Sequence, residues 1–524
     1  MNTAENRYTA LSQKRSAFLR RAWRCSALSI PSLIPEQADS QDLETPYQSL
    51  AARGVNNLAS KLMLALLPPN APFFKLAVDS SKLSEEERKD GEMKTEIEKG
   101  LAKIERAVIE EIASTSDRVT LFEALKHLLV GGNALLYLNP EGGMRCYHLD
   151  SFVVKRDGHG KPKKIIVKEK TDTQNLPQET QAEIAKQKDA DENSDAVNFL
   201  YTHIIREAKK WRIYQEIKGV KIKGTDGTYP LDASPWIPMR LLAISGEDYG
   251  RSYVEEYYGD ISSLDGLSQA IIEGTAAAAK VVFMIAPNST TRETDLAEAS
   301  NCGFVIGNRN DVSTLQVDKF ADFRVARETA VGIEQRLEHA FILNSAIQRN
   351  GEGVTAEEIR KMVEDLETAL GGVYSLLAVE FQLPYVACRL KQLSKKGRIP
   401  ELPKGVVKPL IVTGVEALGR GNDKDKLMTF IGQLTQTLGA DAIKYINVTA
   451  LITRLCTAMG IDTDGLITDP KQLEQQQQEM QSQQTLEMLA PEAGKMATEY
   501  MKQDPQAIQQ MLAMAGQNLE GMEI

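Results

Sequence analysis

Three acidic or glycine-rich stretches of this chain have residue types that could do chemistry. Gly351-Glu352-Gly353-Val354-Thr355-Ala356 fits the glycine spacing of a dinucleotide-binding turn. That turn works only after a strand and before a helix, where backbone N–H groups meet a pyrophosphate. Here a helical pattern precedes it, and Glu352 would face the phosphates. Asp189, Asp191, Glu192 and Asp195 lie at or just past the end of the polar segment 172–194. They lack the Gly-centred, Glu-terminated spacing of a Ca²⁺ loop, so the segment reads as solvated surface. Glu85-Glu86-Glu87 opens a helical stretch, where acids complement the macrodipole without any paired-carboxylate mechanism.

Other catalytic signatures are missing. The chain has no Gly-x4-Gly-Lys-Ser/Thr, no His-Glu-x-x-His and no Gly-x-Ser-x-Gly. Its histidines (His127, His148, His159, His203 and His339) lie on separate elements, and each reads as a surface or satisfied core residue rather than a ligand. The five cysteines are scattered without a CxxC pair, as free thiols in a reducing compartment are. No catalytic residue, metal or cofactor is expected. Hydrophobic residues make up 42% and charged residues 26% of the 524, the balance of a globular chain of several domains. Ala276–Ala286 is the best apolar run, too short and too charged to span a membrane, and the basic N-terminus lacks the apolar core of a signal peptide. A cytosol-like environment follows.

Lys and Arg number 62 against 72 Asp and Glu. A chain that grips DNA tightly is basic, because phosphate neutralisation dominates that affinity. Any DNA contact here is therefore local or weak. Basic runs occur at Lys14–Arg24 and Arg389–Lys408, read either as solvated faces or as contacts to DNA or an acidic neighbour.

The elements follow from periodicity. Helices are predicted at 45–67, 84–114 and 119–130, then strands at 133–138, 152–155, 164–168 and 201–207. A hairpin turns at Gly219. Two long helices, 259–279 and 322–343, flank a small polar insertion with strands at 281–285, 304–306 and 312–315. Asn344–Gly353 is then a polar break. The capping box Thr355-x-x-Glu358 starts a helix to about Gln382, 28 residues or ~42 Å, with Gly371-Gly372 as a kink and Leu383-Pro384 as its end. A strand at 406–412 and helices at 423–438 and 440–459 follow. Residues 469–524 hold 13 Gln and 7 of the 16 Met, suited to exposed helices packed on neighbours.

Several of these stretches resemble the head–tail connector (portal) proteins of short-tailed bacteriophages. They are PYQSLAARGVNNLASKLMLALLPP (46–69), RVTLFEALKHLLVGGNALLYL (118–138), GEDYGRSYVEEYYGDISSL (246–264), LNSAIQRNGEGVTAEEIRKMVEDLETALGGVYSLL within 340–384, and IPELPKGVVKPLIVTGVEALGRG (399–421). The resemblance implies an α+β, mainly helical portal-type fold. Its parts would be an α/β wing (1–258, with the return at 354–465), a two-helix stem (259–279 and 322–343), a small α/β clip (280–321), a tunnel loop (344–353) and a helical crown (466–524).

The resemblance also implies a homo-oligomeric ring, typically of twelve subunits, at one capsid vertex. Double-stranded DNA would pass through it non-specifically. The implied partners are the terminase large subunit, the tail adaptor, and scaffolding, capsid and internal core proteins, with no membrane. Gln348, Arg349, Asn350 and Glu352 are placed in the tunnel loop against DNA, and Glu328, Gln335, Arg336 and His339 on the stem nearby. Gly351, Gly353, Gly371 and Gly372 are placed as hinges. The formal charge of −10 per chain becomes −120 in a twelve-membered ring, which would hold DNA near the axis. Two other readings stay open: a ring-shaped nucleic-acid motor, which needs a P-loop this chain lacks, and a capsid or scaffold component without a channel.

Overall fold

The structure is a computed structural model. It describes residues 3–36, 43–68, 73–78, 91–172, 176–181, 198–279, 282–315, 320–343, 366, 370–400, 407–411, 419–438, 448, 451–452 and 455. The chain forms two compact units, Met1–Gly419 and Arg420–Ile524.

The first unit opens with α1 (Ala4–Leu28), α2 (Leu50–Leu66), β1 (Phe74–Val78), α3 (Gly91–Ser114) and α4 (Asp117–Gly131). Strands follow: β2 (Asn133–Leu138), β3 (Met144–Tyr147), β4 (Phe152–Arg156), β5 (Pro162–Thr171), β6 (Asn198–Arg206), β7 (Lys210–Ile217), β8 (Val220–Lys221), β9 (Gly227–Pro230) and β10 (Trp236–Arg240). Next come α5 (Tyr253–Glu256), α6 (Tyr258–Ala278), β11 (Val282–Ile285), α7 (Glu293–Ala297), β12 (Val312–Leu315) and α8 (Phe320–Ala340). Then α9 (Val373–Leu377), a π-helical turn (Ala378–Gln382), α10 (Leu383–Lys395) and β13 (Val407–Ile411) complete the described residues of this unit. In the second unit, α11 (Gly419–Leu438) is the one long element described. The fold is α+β and mainly helical, as expected.

The large sheet runs β4-β5-β6-β7-β8, with β9 beside β7, all antiparallel. Strand alternation sends Val153, Ile166 and Tyr201 to one face, and Phe152, Val154, Ile165, Val167 and Ile204 to the other. Both faces are covered, and α1 reaches both. Its Ala4 and Tyr8 pack on the first set, and its Leu19 and Ala22 on the second.

That helix was not legible in the sequence, because Arg15 stands in the middle of its inner stripe. Arg15 is buried and donates to the carbonyls of Leu149 (2.9 Å), Asp150 (2.7 Å) and Phe152 (2.7 Å), pinning the turn into β4. Arg21 pairs with Glu255 at 3.4 Å, and the Arg24 guanidinium lies over the Tyr258 ring. The Lys14–Arg24 run therefore serves largely inside its own chain.

Two expectations are corrected. Residues 304–306 form no strand: β11 pairs with β12 alone, from Val282↔Leu315 to Ile285↔Val312, and Phe304 and Ile306 stand exposed in a loop. Leu383-Pro384 does not end a helix. Pro384 sits in the first turn of α10, where its missing N–H is not needed, and the wide π-helical turn before it accommodates the ring. The backbone then stays helical to Lys395. The break comes earlier, at Gly371, whose φ is +54°. The helix predicted at 440–459 and the segment 466–524 lie outside the described residues, apart from 448, 451–452 and 455.

The principal core joins α2, α4, β2, β10, α9 and α10. Two buried charge clusters cross it. Glu380, placed inward by the π-helical turn, accepts from the Arg240 backbone N–H and Nε, both at 2.9 Å, and from Arg156 Nη1 at 3.3 Å. Asp117, at the start of α4, pairs with Arg389 and accepts from Tyr385 Oη at 2.5 Å. Burial and the neighbouring carboxylate push the Tyr385 hydroxyl well above its ordinary pKa, so it stays a donor. Arg398 and Lys396 meet Glu111, so this second basic run is also partly consumed within the chain.

Removing one partner of a fully buried pair strands the other charge. Arg389→Ala should therefore destabilise the fold by ~3–5 kcal/mol. The check is the denaturant midpoint, and an unchanged midpoint would mean that Asp117 does not depend on this partner.

Candidate channel-lining site

The helices α6 and α8 carry the stem residues singled out from the sequence, and they run antiparallel. Arg336, near the end of α8, pairs with Asp260, near the start of α6, at 3.0 Å. Phe323 packs over Gly274 at the opposite end, so closely that a Cβ on Gly274 would collide with its ring. Each helix has 21 residues, or ~30 Å at 1.5 Å per residue.

Only one end of the pair is buried within the chain. Ile261 and Leu264 on α6 meet Ala330, Ile333 and Leu337 on α8 in the principal core. Farther along, Ile272 and Val325 are 52% and 60% exposed. The helix α6 has three acids (Asp260, Asp265, Glu273) and no Lys or Arg. The helix α8 has four acids against three arginines, so the pair carries a formal charge of −4.

Glu328, Gln335 and His339 are exposed and share the side of α8 opposite Ala330, Ile333, Leu337 and Phe341. Arg336 is exposed on the flank, against Asp260. Gln348, Arg349, Asn350, Gly351, Glu352 and Gly353 lie outside the described residues. Gly371 and Gly372 stand between Leu370 and α9. The structure thus brings the four stem residues onto one helix, and leaves the loop residues without described positions.

How α8 ends could not be read from the sequence. Ile342 N–H bonds to the His339 carbonyl (3.1 Å), and Leu343 N–H to the Glu338 carbonyl (2.9 Å). This bond pair ends a helix through a left-handed residue, a position usually held by glycine. Here Ile342 holds it, at φ +52°. For a β-branched residue that conformation costs ~1–2 kcal/mol.

External partners hold it there. Tyr253 Oη donates to the Ala340 carbonyl at 2.8 Å. Asn57 Nδ2 donates to the carbonyls of Phe341 (2.9 Å) and Ile342 (3.0 Å), and Lys61 Nζ to that of Ile342 (2.8 Å). Phe341 lies buried against Gly54, where a Cβ would stand 2.5 Å from the ring. The carbonyls left over at a helix C-terminus are thereby satisfied, partly by an ammonium that suits the dipole. Gly54, Asn57 and Lys61 follow helical spacing on α2. The available signal was Lys61 within an otherwise apolar face, since a 4% exposed lysine requires partners.

Comparison with known proteins adds the family. The model of bacteriophage head to tail connecting protein matches residues 1–467. The portal protein of Enterobacteria phage T3 is 42% identical, over 98% of this chain and 97% of that one. The portal protein of Escherichia phage T7 is also 42% identical, over 93% of this chain and 91% of its own. Among solved structures, a chain from the neck of an empty GTA particle overlaps 78% of this chain and 89% of its own, with 12% identity and a TM-score of 0.37. With the family model spanning most of its length and two such relatives end to end, the chain belongs to the bacteriophage head to tail connecting, or portal, protein family.

Proposed function

We propose that this chain is the repeating subunit of a closed ring at one capsid vertex, through whose centre double-stranded DNA is packaged and later ejected. Residues 1–258 with 354–465 form the wing, α6 and α8 the stem, 280–321 the clip, 344–353 the tunnel loop and 466–524 the crown. The ring nucleates head assembly in the host cytoplasm, receives the terminase at the clip, and afterwards holds the tail adaptor there. It contacts scaffolding, capsid and internal core proteins, and it catalyses no reaction of its own.

The observation that carries this reading is the family match along most of the chain. Two structural features support it. The stem pair is buried at one end only, leaving Ile272 and Val325 to face something outside the chain. The insertion between the stem helices exposes Phe283, Met284, Leu296, Phe304 and Ile306, more apolar surface than a free-standing hairpin keeps in water. Neighbouring subunits would cover both.

A conduit has to let DNA slide. An acidic wall repels phosphates, and sparse arginines give brief contacts. The −4 stem pair, with Glu328, Gln335 and His339 on its free side, suits that task. Arg349, Asn350 and Glu352 would form the narrowest point, and Gly351 and Gly353 would allow the loop to move.

The first expectation is that electron-microscopy class averages of the purified protein show discrete rings with a central hole. Its ATPase activity should be blank. Shells, rods or ATP hydrolysis would contradict the proposal. The second is that Arg349→Ala, or deletion of Gln348–Gly353, leaves rings intact but lowers packaged or retained DNA, and normal packaging and retention would remove the gate from the mechanism. The third concerns the loop's upstream anchor. Asn57→Ala leaves the Phe341 carbonyl without that donor and should cost ~1–3 kcal/mol in unfolding measurements. Retained DNA should fall with it, and a variant with native stability and retention would show the anchor to be dispensable.

A further inference from the structure

We infer that the wing holds a transition-metal site of zinc type, built by Glu123 and His127 on α4 and by Cys146 on β3. The carboxylate, imidazole and thiol donor atoms lie within 4.8 Å of one another. Glu123 and His127 are one helical turn apart and so share a face of α4, with His127 Nε2 at 3.9 Å from Glu123 Oε1. Cys146 comes from the strand packed beside that turn. Two residues on, His148 leaves the strand on the same side, its ring centroid 6.2 Å from that of His127.

The donor chemistry selects the ion. Thiolate, imidazole and carboxylate together suit Zn²⁺ and its borderline-soft neighbours, whereas Mg²⁺ and Ca²⁺ take oxygen ligands. With Cys146 and Glu123 ionised and His127 neutral, the ligands carry two negative charges, which a divalent cation cancels. Bonds of ~2.0–2.3 Å set tetrahedral donors ~3.3–3.6 Å apart, so side-chain rotations of about an ångström close the set. A water completes the tetrahedron, since His148 lies outside the group of three close donors.

A second observation points the same way. His127 is 4% exposed, and its Nδ1 has no hydrogen-bond partner among the described residues. A buried imidazole with an unpartnered nitrogen is uncommon, because the stranded polar atom is costly. Coordination through Nδ1 would give that atom a partner and leave Nε2 toward Glu123. Coordination forms the metal–sulfur bond and releases the thiol proton to solvent, so binding should weaken as pH falls. In the fold, such an ion would tie α4 to β3, on the helix whose first turn carries the Asp117–Arg389 pair.

The test is a titration of the metal-stripped full-length protein with Co²⁺. It should give one Co²⁺ per chain, a thiolate-to-cobalt charge-transfer band and the intense visible bands of a tetrahedral ion, all displaced by Zn²⁺. Cys146→Ser should lose the charge-transfer band. His127→Gln should weaken binding by more than ~10–100-fold, the loss that even an outer contact costs. Glu123 is exposed, so Glu123→Gln keeps the fold and should weaken Co²⁺ binding at least tenfold. Absence of the band in the native protein, its persistence in Cys146→Ser, or unaltered affinity in Glu123→Gln would each overturn the site.

Discussion

The end of α8 has to stop inside protein, and much of the first unit is arranged around that requirement. A helix terminus in water leaves its last carbonyls to the solvent. Here Phe341 is fully buried beside them, so the carbonyls of Ala340, Phe341 and Ile342 take their donors from Tyr253, Asn57 and Lys61. The helix α2 is shaped by this task. It gives up a side chain at Gly54 to admit the Phe341 ring and carries a lysine and an asparagine where a core helix would carry leucine. The cost of Ile342 in a left-handed conformation is met by the same contacts. The result is a fixed point from which the following segment departs.

Buried charge is handled by the same logic elsewhere. Arg15 serves three carbonyls at the entry to β4, Glu380 collects Arg156 and Arg240, and Asp117 holds Arg389. In each case a charged group costly to desolvate joins elements distant in sequence, and its removal would leave others unpaired. Several of the arginines in this acidic chain therefore act as internal ties. Its basic runs are in part structural members, not surfaces waiting for DNA.

What could be read beforehand follows from the range of the interactions. Short apolar or β-branched runs set β2 at 133–138 and β12 at 312–315, and the predicted bounds of α6 and α8 fall within three residues of those observed. Glu328, Gln335 and His339 were placed on this helix through the family resemblance, and they stand on its exposed side. Long-range chemistry stayed hidden. The helix α1 was masked by an arginine on its inner face, because its hydrogen-bond partners lie more than a hundred residues away. Ile342 gave no stop signal, since residues far upstream in sequence supply the stabilisation that glycine usually makes unnecessary. Pro384 looked like a terminator because a π-helical turn is invisible to periodicity. Glu123, His127 and Cys146 looked unrelated because two of them share a helix and the third arrives on a strand.

The position of α1 also bears on how the protein comes into being. Its first amide, at Ala4, donates to Glu216, 212 residues downstream, and β1 pairs with β13 through Phe74↔Ile411. At ~5–20 residues per second, a ribosome takes ~10–40 s to deliver Glu216 to the waiting helix. During that interval the apolar side of α1 has no sheet to cover it, and β1 waits longer still. Among the described residues, the last strand pairing of the first unit forms only after residue 411 has emerged. Synthesis and assembly are thereby separated in time, and a nascent chain cannot join other subunits through surfaces that depend on the finished fold.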